Sequence, residues 1–360
     1  MSIAAKKVPY VRLGNSGLKV SRIILGTMQY GDLRWQPWVI GDQQEANRHI
    51  KAAYDAGIQT FDTADVYSNG ASEVILGNAI KDLKLPREEI VVMTKMFSPV
   101  MRDFTTNLMA TGQNPDTAGY VNQHGLSRKH IFDAVKASLG RLQLDYVDVL
   151  QCHRFDKDTP ISEIMQALHD VVQAGGFDIL TNSSSPRDAE LASYTFAYYT
   201  HSDPETDYAI ANKLTPFISM QNHYNLIYRE EEREMIPTLK HFGVGVIPWS
   251  PLARGLLTRP LTEKTTRGTT DWVINKYFNG PGTEEILKRV EEISKKRGIS
   301  MAQVSVAWTL TKDPSAAPIV GTTSIKNLED ILGAINVTLT PEEMKYLEEP
   351  YRAQGIIGHF

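Results

Sequence analysis

The run Ile23-Ile24-Leu25-Gly26-Thr27-Met28-Gln29-Tyr30-Gly31 begins as a buried β-strand and then turns. An open, doubly wound α/β sheet usually places a glycine-rich G-x-G-x-x-G phosphate turn here, after its first strand. This chain offers Gly26 and Gly31 but no such fingerprint. Upstream, residues 11–13 and 18–20 flank the Gly14-Asn15-Ser16-Gly17 turn, which predicts an N-terminal β-hairpin. Downstream, short β-branched runs alternate with helical patterns. Strands are expected at about 59–62, 90–95, 146–152, 177–183, 218–222, 244–248 and 317–320. Helices are expected at about 43–56, 72–81, 161–174, 186–199, 230–242, 284–297 and 327–334, with a further one starting at the N-cap Ser127. Eight such βα units predict an α/β chain folded as a (β/α)8 TIM barrel, one domain over residues 1–360. The connections 96–126, 200–216 and 253–283 are long for a barrel. All three are expected on the C-terminal face, where barrel enzymes keep their sites.

Composition narrows the function classes. The 360 residues are 42% hydrophobic and 22% charged, as a globular chain with a large core requires. A net charge of −4 and a pI near 6.2 give no basic footprint for nucleic acid or an anionic membrane. No apolar segment suits a secretory signal or a membrane span. The single cysteine, Cys152, excludes an internal disulfide framework and suits a reducing compartment, so a cytoplasmic location is expected. The sequons at Asn182 and Asn336 then read as chance matches.

Polar side chains recur at the ends of consecutive expected strands. Asp62 ends the second strand in Thr60-Phe61-Asp62-Thr63-Ala64-Asp65-Val66-Tyr67, and Tyr67 follows on its loop. Lys95 ends the third strand in Val91-Val92-Met93-Thr94-Lys95, and His153 ends the fourth in Asp148-Val149-Leu150-Gln151-Cys152-His153. Adjacent strands lie about 4.8 Å apart, so these ends can converge. Alone, Asp62 or Asp65 would cap a turn, Lys95 would snorkel to solvent, Tyr67 would pack in its loop and His153 would sit satisfied in the core. Together they suit carbonyl reduction, which needs hydride at carbon and a proton at oxygen. A phenol with a pKa near 10 is a weak acid at neutral pH, and a neighbouring Lys95 ammonium is expected to lower it. Asp62 would hold Lys95, and His153 would orient the substrate oxygen. No metal-ligand cluster is evident. A barrel isomerase or aldolase using Lys95 as a Schiff base is a third possibility.

From about Leu13 to Leu347 the chain resembles the aldo-keto reductase family, closest to its fungal aryl-alcohol dehydrogenase-like members. The resemblance rests on Phe61-Asp62-Thr63-Ala64-Asp65-Val66-Tyr67-Ser68, Gln151-Cys152-His153 and Met220-Gln221-Asn222-His223-Tyr224-Asn225-Leu226. It extends to Pro248-Trp249-Ser250-Pro251-Leu252-Ala253-Arg254-Gly255 and Pro318-Ile319-Val320-Gly321-Thr322-Thr323. It implies a catalytic tetrad of Asp62, Tyr67, Lys95 and His153, with Tyr67 as proton donor to a small carbonyl substrate. It also implies a nicotinamide cofactor, NADPH (NADP+) rather than NADH. Gly26 and Thr27 would approach that cofactor, Gln221, Ser183 and Ser184 would hold its carboxamide, and Trp249 would stack on its ring. The loop Ser250, Pro251, Leu252, Arg254 and Gly255 would wrap the pyrophosphate, and Gly321, Thr323, Asn327 and Asp330 would bind the adenosine end. The alternative within the same family is a nucleotide-binding module that senses redox state and turns over little.

Two stretches depart from the family pattern. Gly176-Phe177-Asp178-Ile179-Leu180-Thr181-Asn182-Ser183-Ser184 lacks the usual lysine, arginine and glycine, which loosens the register of the serine pair. Ile331 replaces an asparagine late in the adenosine motif, and Lys326 is the cation at hand for a 2′-phosphate. Met28, Tyr30, Trp35, Trp38, Phe97 and Tyr224 are expected to wall the substrate pocket and suggest a flat or aromatic carbonyl compound. Neither the oligomeric state nor the physiological direction is legible in the sequence.

Overall fold

Strands form where β-branched and aromatic residues concentrate, because such side chains pack well on a pleated surface. A computed structural model describes residues 7–105, 112–174, 193–196, 204–263, 274, 277–278, 280–314 and 317–356. Along the chain the strands are β1 (Tyr10–Arg12), β2 (Lys19–Ser21), β3 (Ile24–Gly26), β4 (Thr60–Asp62) and β5 (Val91–Met96). They continue with β6 (Val149–Cys152), β7 (Ser193–Phe196), β8 (Phe217–Met220), β9 (Gly245–Val246) and β10 (Ile319–Val320). The chain divides into two compact units. One comprises Met1–Leu25, Asp55–Ile58 and Met220–Phe360; the other comprises Gly26–Tyr54 and Gln59–Ser219.

In the second unit β4, β5, β6 and β7 form a parallel ladder. Its start is tied to the end of β3, where the Thr27 amide donates to the Asp62 carbonyl at 2.8 Å. Parallel strands covered on both faces read as continuous apolar runs, and β4, β5 and β6 are buried over nearly every residue. The helices Ala71–Asp82 and Arg128–Leu142 approach closely at Gly77, where an added Cβ would lie 2.3 Å from the Leu142 carbonyl oxygen. Ser127 caps the latter helix by accepting from the His130 amide, as its position predicts.

The first unit begins with the expected hairpin, in which Val11 pairs with Val20 between antiparallel β1 and β2. Its parallel ladder runs from Met220 through β9 to β10 and β3. Ile247 donates to the Met220 carbonyl at 2.9 Å and Ala317 to that of Val246 at 3.1 Å, while Ile319 pairs with Ile24. Helices Met301–Leu310 and Pro341–Glu348 lie beyond the expected set. Their signals were present as Ser300-x-x-Gln303 and a full capping box, Thr340 with Glu343.

One expectation fails. The strand beside β6 is β7 at Ser193–Phe196, inside the stretch read as the helix 186–199. Ser193-Tyr194-Thr195-Phe196 is dense in β-branched and aromatic residues, and strand pairing outweighs the helical pattern there. The expected strand 177–183, with Ser183 and Ser184, lies outside the described residues.

Candidate active site

The tetrad assembles within the second unit. Asp62 pairs with Met93, and Lys95 stands two residues beyond Met93 on the same strand, so both side chains leave the same face of the sheet. Lys95 is fully buried and Asp62 is 2% exposed. The Lys95 Nζ donates to Asp62 Oδ2 at 2.6 Å, to the Thr63 carbonyl at 2.7 Å and to Tyr67 Oη at 3.2 Å. Gln151 Nε2 donates to the other Asp62 oxygen at 2.7 Å. The Tyr67 and His153 rings meet edge to face, with centroids 5.9 Å apart, and both are half-buried. The ion pair is thus sealed in, while the Tyr67 and His153 side chains are only partly covered.

Tyr67 reaches this place through a tight turn. Ser68 and Asn69 both hold left-handed conformations, with φ of 47° at each, an arrangement that needs support from its surroundings. Asn69 supplies part of it, donating from Nδ2 to the Asp103 carbonyl at 2.7 Å. Gly31 supplies another part. A Cβ there would stand 1.8 Å from Ser68 Oγ, so only glycine admits this turn.

Burial governs the protonation states. It raises the Tyr67 phenol above its ordinary value; Lys95 opposes the shift and Asp62 adds to it. The expected lowering by Lys95 is therefore overturned in net direction, because removing a phenolate from water costs more than one ammonium returns. Burial also acts to lower Lys95, but Asp62 and Tyr67 more than offset it, and the ammonium is stabilised. A Schiff-base lysine needs the neutral amine, so that reading loses its footing. His153 is held well below its usual value by burial and by the nearby Lys95 and Arg154 cations, and it is a neutral imidazole. Its Nδ1 is buried with no partner among the described residues. Asp65 is pushed well above the carboxylate range by burial and by Glu73, and neither of its oxygens has a hydrogen-bond partner among the described residues.

The residues expected at the cofactor divide differently. Gly26 and Thr27 belong to the second unit, and the Thr27 hydroxyl is buried against Ser72 Oγ at 2.9 Å. The remaining described ones lie in the first unit. Gln221 is buried, and Trp249 stacks on His223 with centroids 4.1 Å apart and 18° between planes. In the loop from Ser250 to Gly255, Ser250, Ala253, Arg254 and Gly255 all hold left-handed conformations. Two of its amides are used within the turn, Ala253 donating to the Ser250 carbonyl and Gly255 to that of Leu252, each at 2.9 Å. The helix Ile325–Leu332 starts at Ser324, which caps Asn327, with Gly321, Thr323 and Asn327 exposed at its approach. Asp330 is engaged elsewhere, accepting from Gln303 Nε2 at 3.0 Å. Such a helix start fits a nucleotide with phosphates.

Two expected pocket walls are corrected. Tyr30 is wholly buried edge-on to His49, and Tyr224 is buried against Trp308 with its hydroxyl donating to Glu232. Met28, Trp35, Trp38 and Phe97 are partly exposed, and the two tryptophans pack edge to face. Gln151 and the Thr63 carbonyl were missed as functional contacts. Gln151 stood two residues before His153 on a strand, which places both on one face.

Among the described residues no group of metal-ligating side chains is assembled, and no helix is long and apolar enough to cross a membrane. The chain matches the family model described as "Aldo/keto reductase family" over residues 22–352. It is 46% identical over 356 residues to a Schizosaccharomyces pombe protein provisionally named an aryl-alcohol dehydrogenase, covering 97% of each chain. It is also 46% identical over 353 residues to versiconal hemiacetal acetate reductase of Aspergillus parasiticus, covering 96% of this chain and 98% of the relative. With the aldo-keto reductase AFTS1 of Alternaria alternata it shares 44% over 366 residues, covering 99% and 96%.

Proposed function

The chain belongs to the aldo/keto reductase family, and from that premise we propose that Tyr67 is the proton donor of its reaction. The family fold is a (β/α)8 barrel, and the chain is an oxidoreductase that reduces a small aldehyde or ketone with a nicotinamide cofactor. We read residues 1–360 as one catalytic domain.

The carrying observation is the buried Lys95 ammonium, 2.6 Å from Asp62 and 3.2 Å from the Tyr67 oxygen. In reduction the nicotinamide supplies the hydride that forms the new C–H bond at the carbonyl carbon. The Tyr67 O–H breaks as its proton passes to the carbonyl oxygen, giving the alcohol. Lys95 stabilises the phenolate left behind, and Asp62 holds Lys95 in place. Neutral His153 donates one N–H to the carbonyl oxygen and fixes its direction toward Tyr67. Gln221 and Trp249 would hold the nicotinamide end, the turn 250–255 with Arg254 the pyrophosphate, and Gly321, Thr323 and Asn327 the adenosine end.

NADPH is the preferred nucleotide in this reading, with Lys326 exposed beside Asn327 as the cation for a 2′-phosphate. The substrate is an aromatic or flat carbonyl compound, in keeping with the half-exposed Trp35 and Trp38 and with the aryl-alcohol name of one relative. A cytoplasmic location is part of this reading, in keeping with the lone cysteine.

The test is NADPH oxidation against a panel of aromatic and aliphatic aldehydes, for wild type and Tyr67→Phe. Loss of a general acid should lower kcat on the order of 10²–10⁴-fold with nucleotide binding retained. Unchanged turnover in Tyr67→Phe would exclude it as donor, and no turnover in wild type would favour the redox-sensing module.

A further inference from the structure

We infer that Gln151 is a positioning residue for the proton donor: it locks the Asp62 carboxylate so that Lys95 is presented to Tyr67. The inference rests on the tetrad reading above. Gln151 on β6 is the register partner of Lys95 on β5, and Asp62 on β4 pairs with Met93, two residues before Lys95. All three side chains therefore leave one face of three adjacent strands, with Lys95 and Gln151 level and Asp62 one two-residue repeat before them. Gln151 is fully buried there.

Each Asp62 oxygen has its own donor, Lys95 Nζ on Oδ2 at 2.6 Å and Gln151 Nε2 on Oδ1 at 2.7 Å. An ammonium has three N–H bonds, and those of Lys95 are directed at Asp62, the Thr63 carbonyl and the Tyr67 oxygen. Rotation of the carboxylate would draw Lys95 with it and lengthen the contact to the phenol. A neutral amide suits this task. A second cation would compete with Lys95 for the carboxylate, and an apolar side chain would take one donor from a buried charge. With Oδ1 less compensated, more negative charge is felt at Tyr67, whose phenolate Asp62 already disfavours.

The experiment compares wild type, Gln151→Met, Gln151→Asn and Tyr67→Phe in reduction of an aromatic aldehyde by NADPH. It runs from neutral pH to about 11, spanning the ordinary phenol range. Both Gln151 variants should lose about ten- to a hundredfold in kcat, the effect of one hydrogen bond to a charged group. Nucleotide Kd should stay constant, and the alkaline limb should move to higher pH, which a purely structural defect would not cause. Gln151→Asn carries the same expectation should Gln151→Met fold poorly, since the shorter amide withdraws its nitrogen from Asp62. Wild-type kcat and limb in the variants, or a loss confined to nucleotide Kd, overturns the inference. If Tyr67→Phe is inactive while the Gln151 variants match wild type, only the role of Gln151 fails. An active Tyr67→Phe enzyme removes the tetrad reading itself.

Discussion

Lys95 and Asp62 are charges taken out of water and fixed by side-chain hydrogen bonds, whereas Trp249 and the turn 250–255 are shaped by ring stacking and backbone conformation. The first arrangement lies in the unit that carries β4 to β7, the second in the unit that carries β9 and β10. They fail in different ways. A buried ion pair is all-or-none, because either partner left alone is an uncompensated charge. A stacked ring or a wound turn degrades by degrees, because each contact is a small part of a distributed fit.

The largest effect is expected from Lys95→Met. Stranding Asp62 in the core should cost about 3–5 kcal/mol of stability, and reduction should fall with it. Thermal melting and turnover check both, and a variant as stable as wild type would show that the pair contributes little. Trp249→Ala should act more mildly in the other unit. Loss of one aromatic contact is worth about 0.5–1.5 kcal/mol, so nucleotide Kd should rise by up to about tenfold with the pH profile of turnover unchanged. A shift of the alkaline limb in that variant would blur the contrast.

The same contrast explains what could be read from the sequence. Strand ends carrying Asp62, Lys95 and His153 were legible because a polar residue closing an apolar strand must be explained by a partner. Ser127 as a cap was legible for a local reason, its position before a helical period. The contact of Gln151 with Asp62 depends on the β5–β6 register, a long-range property that no local pattern specifies. Tyr30 and Tyr224 were misread as pocket walls because large aromatics bury well inside a core, and the Tyr224 hydroxyl finds an internal partner in Glu232. β7 was misread because the residues 193–196 sit within a longer helix-like period, and pairing with β6 decides their state. In the other unit, Trp249 and the turn 250–255 were legible by resemblance alone, since left-handed backbone at Ala253 and Arg254 leaves no mark in composition.

The smallest effect sharpens the comparison from within the charged unit. Asp65 is raised in the folded state by burial and by Glu73. Its folded pKa lies above its unfolded one, so it carries no charge penalty while protonated and opposes folding as pH rises past the unfolded carboxylate range. Asp65→Asn should therefore raise Tm at neutral pH by roughly 1–2 °C, and give no gain below about pH 4. A gain that is equal at both pH values would assign the effect to packing rather than charge.

The proton donor itself is reached most directly by following kcat/KM for carbonyl reduction and for alcohol oxidation against pH. With Tyr67 raised above its ordinary value and His153 neutral, reduction should stay level through neutrality and decline only above about pH 10. Oxidation should climb over that same alkaline range, and both limbs should vanish with Tyr67→Phe. A shared limb near the ordinary histidine value of about 6.5, surviving in Tyr67→Phe, would contradict a phenol as the acid.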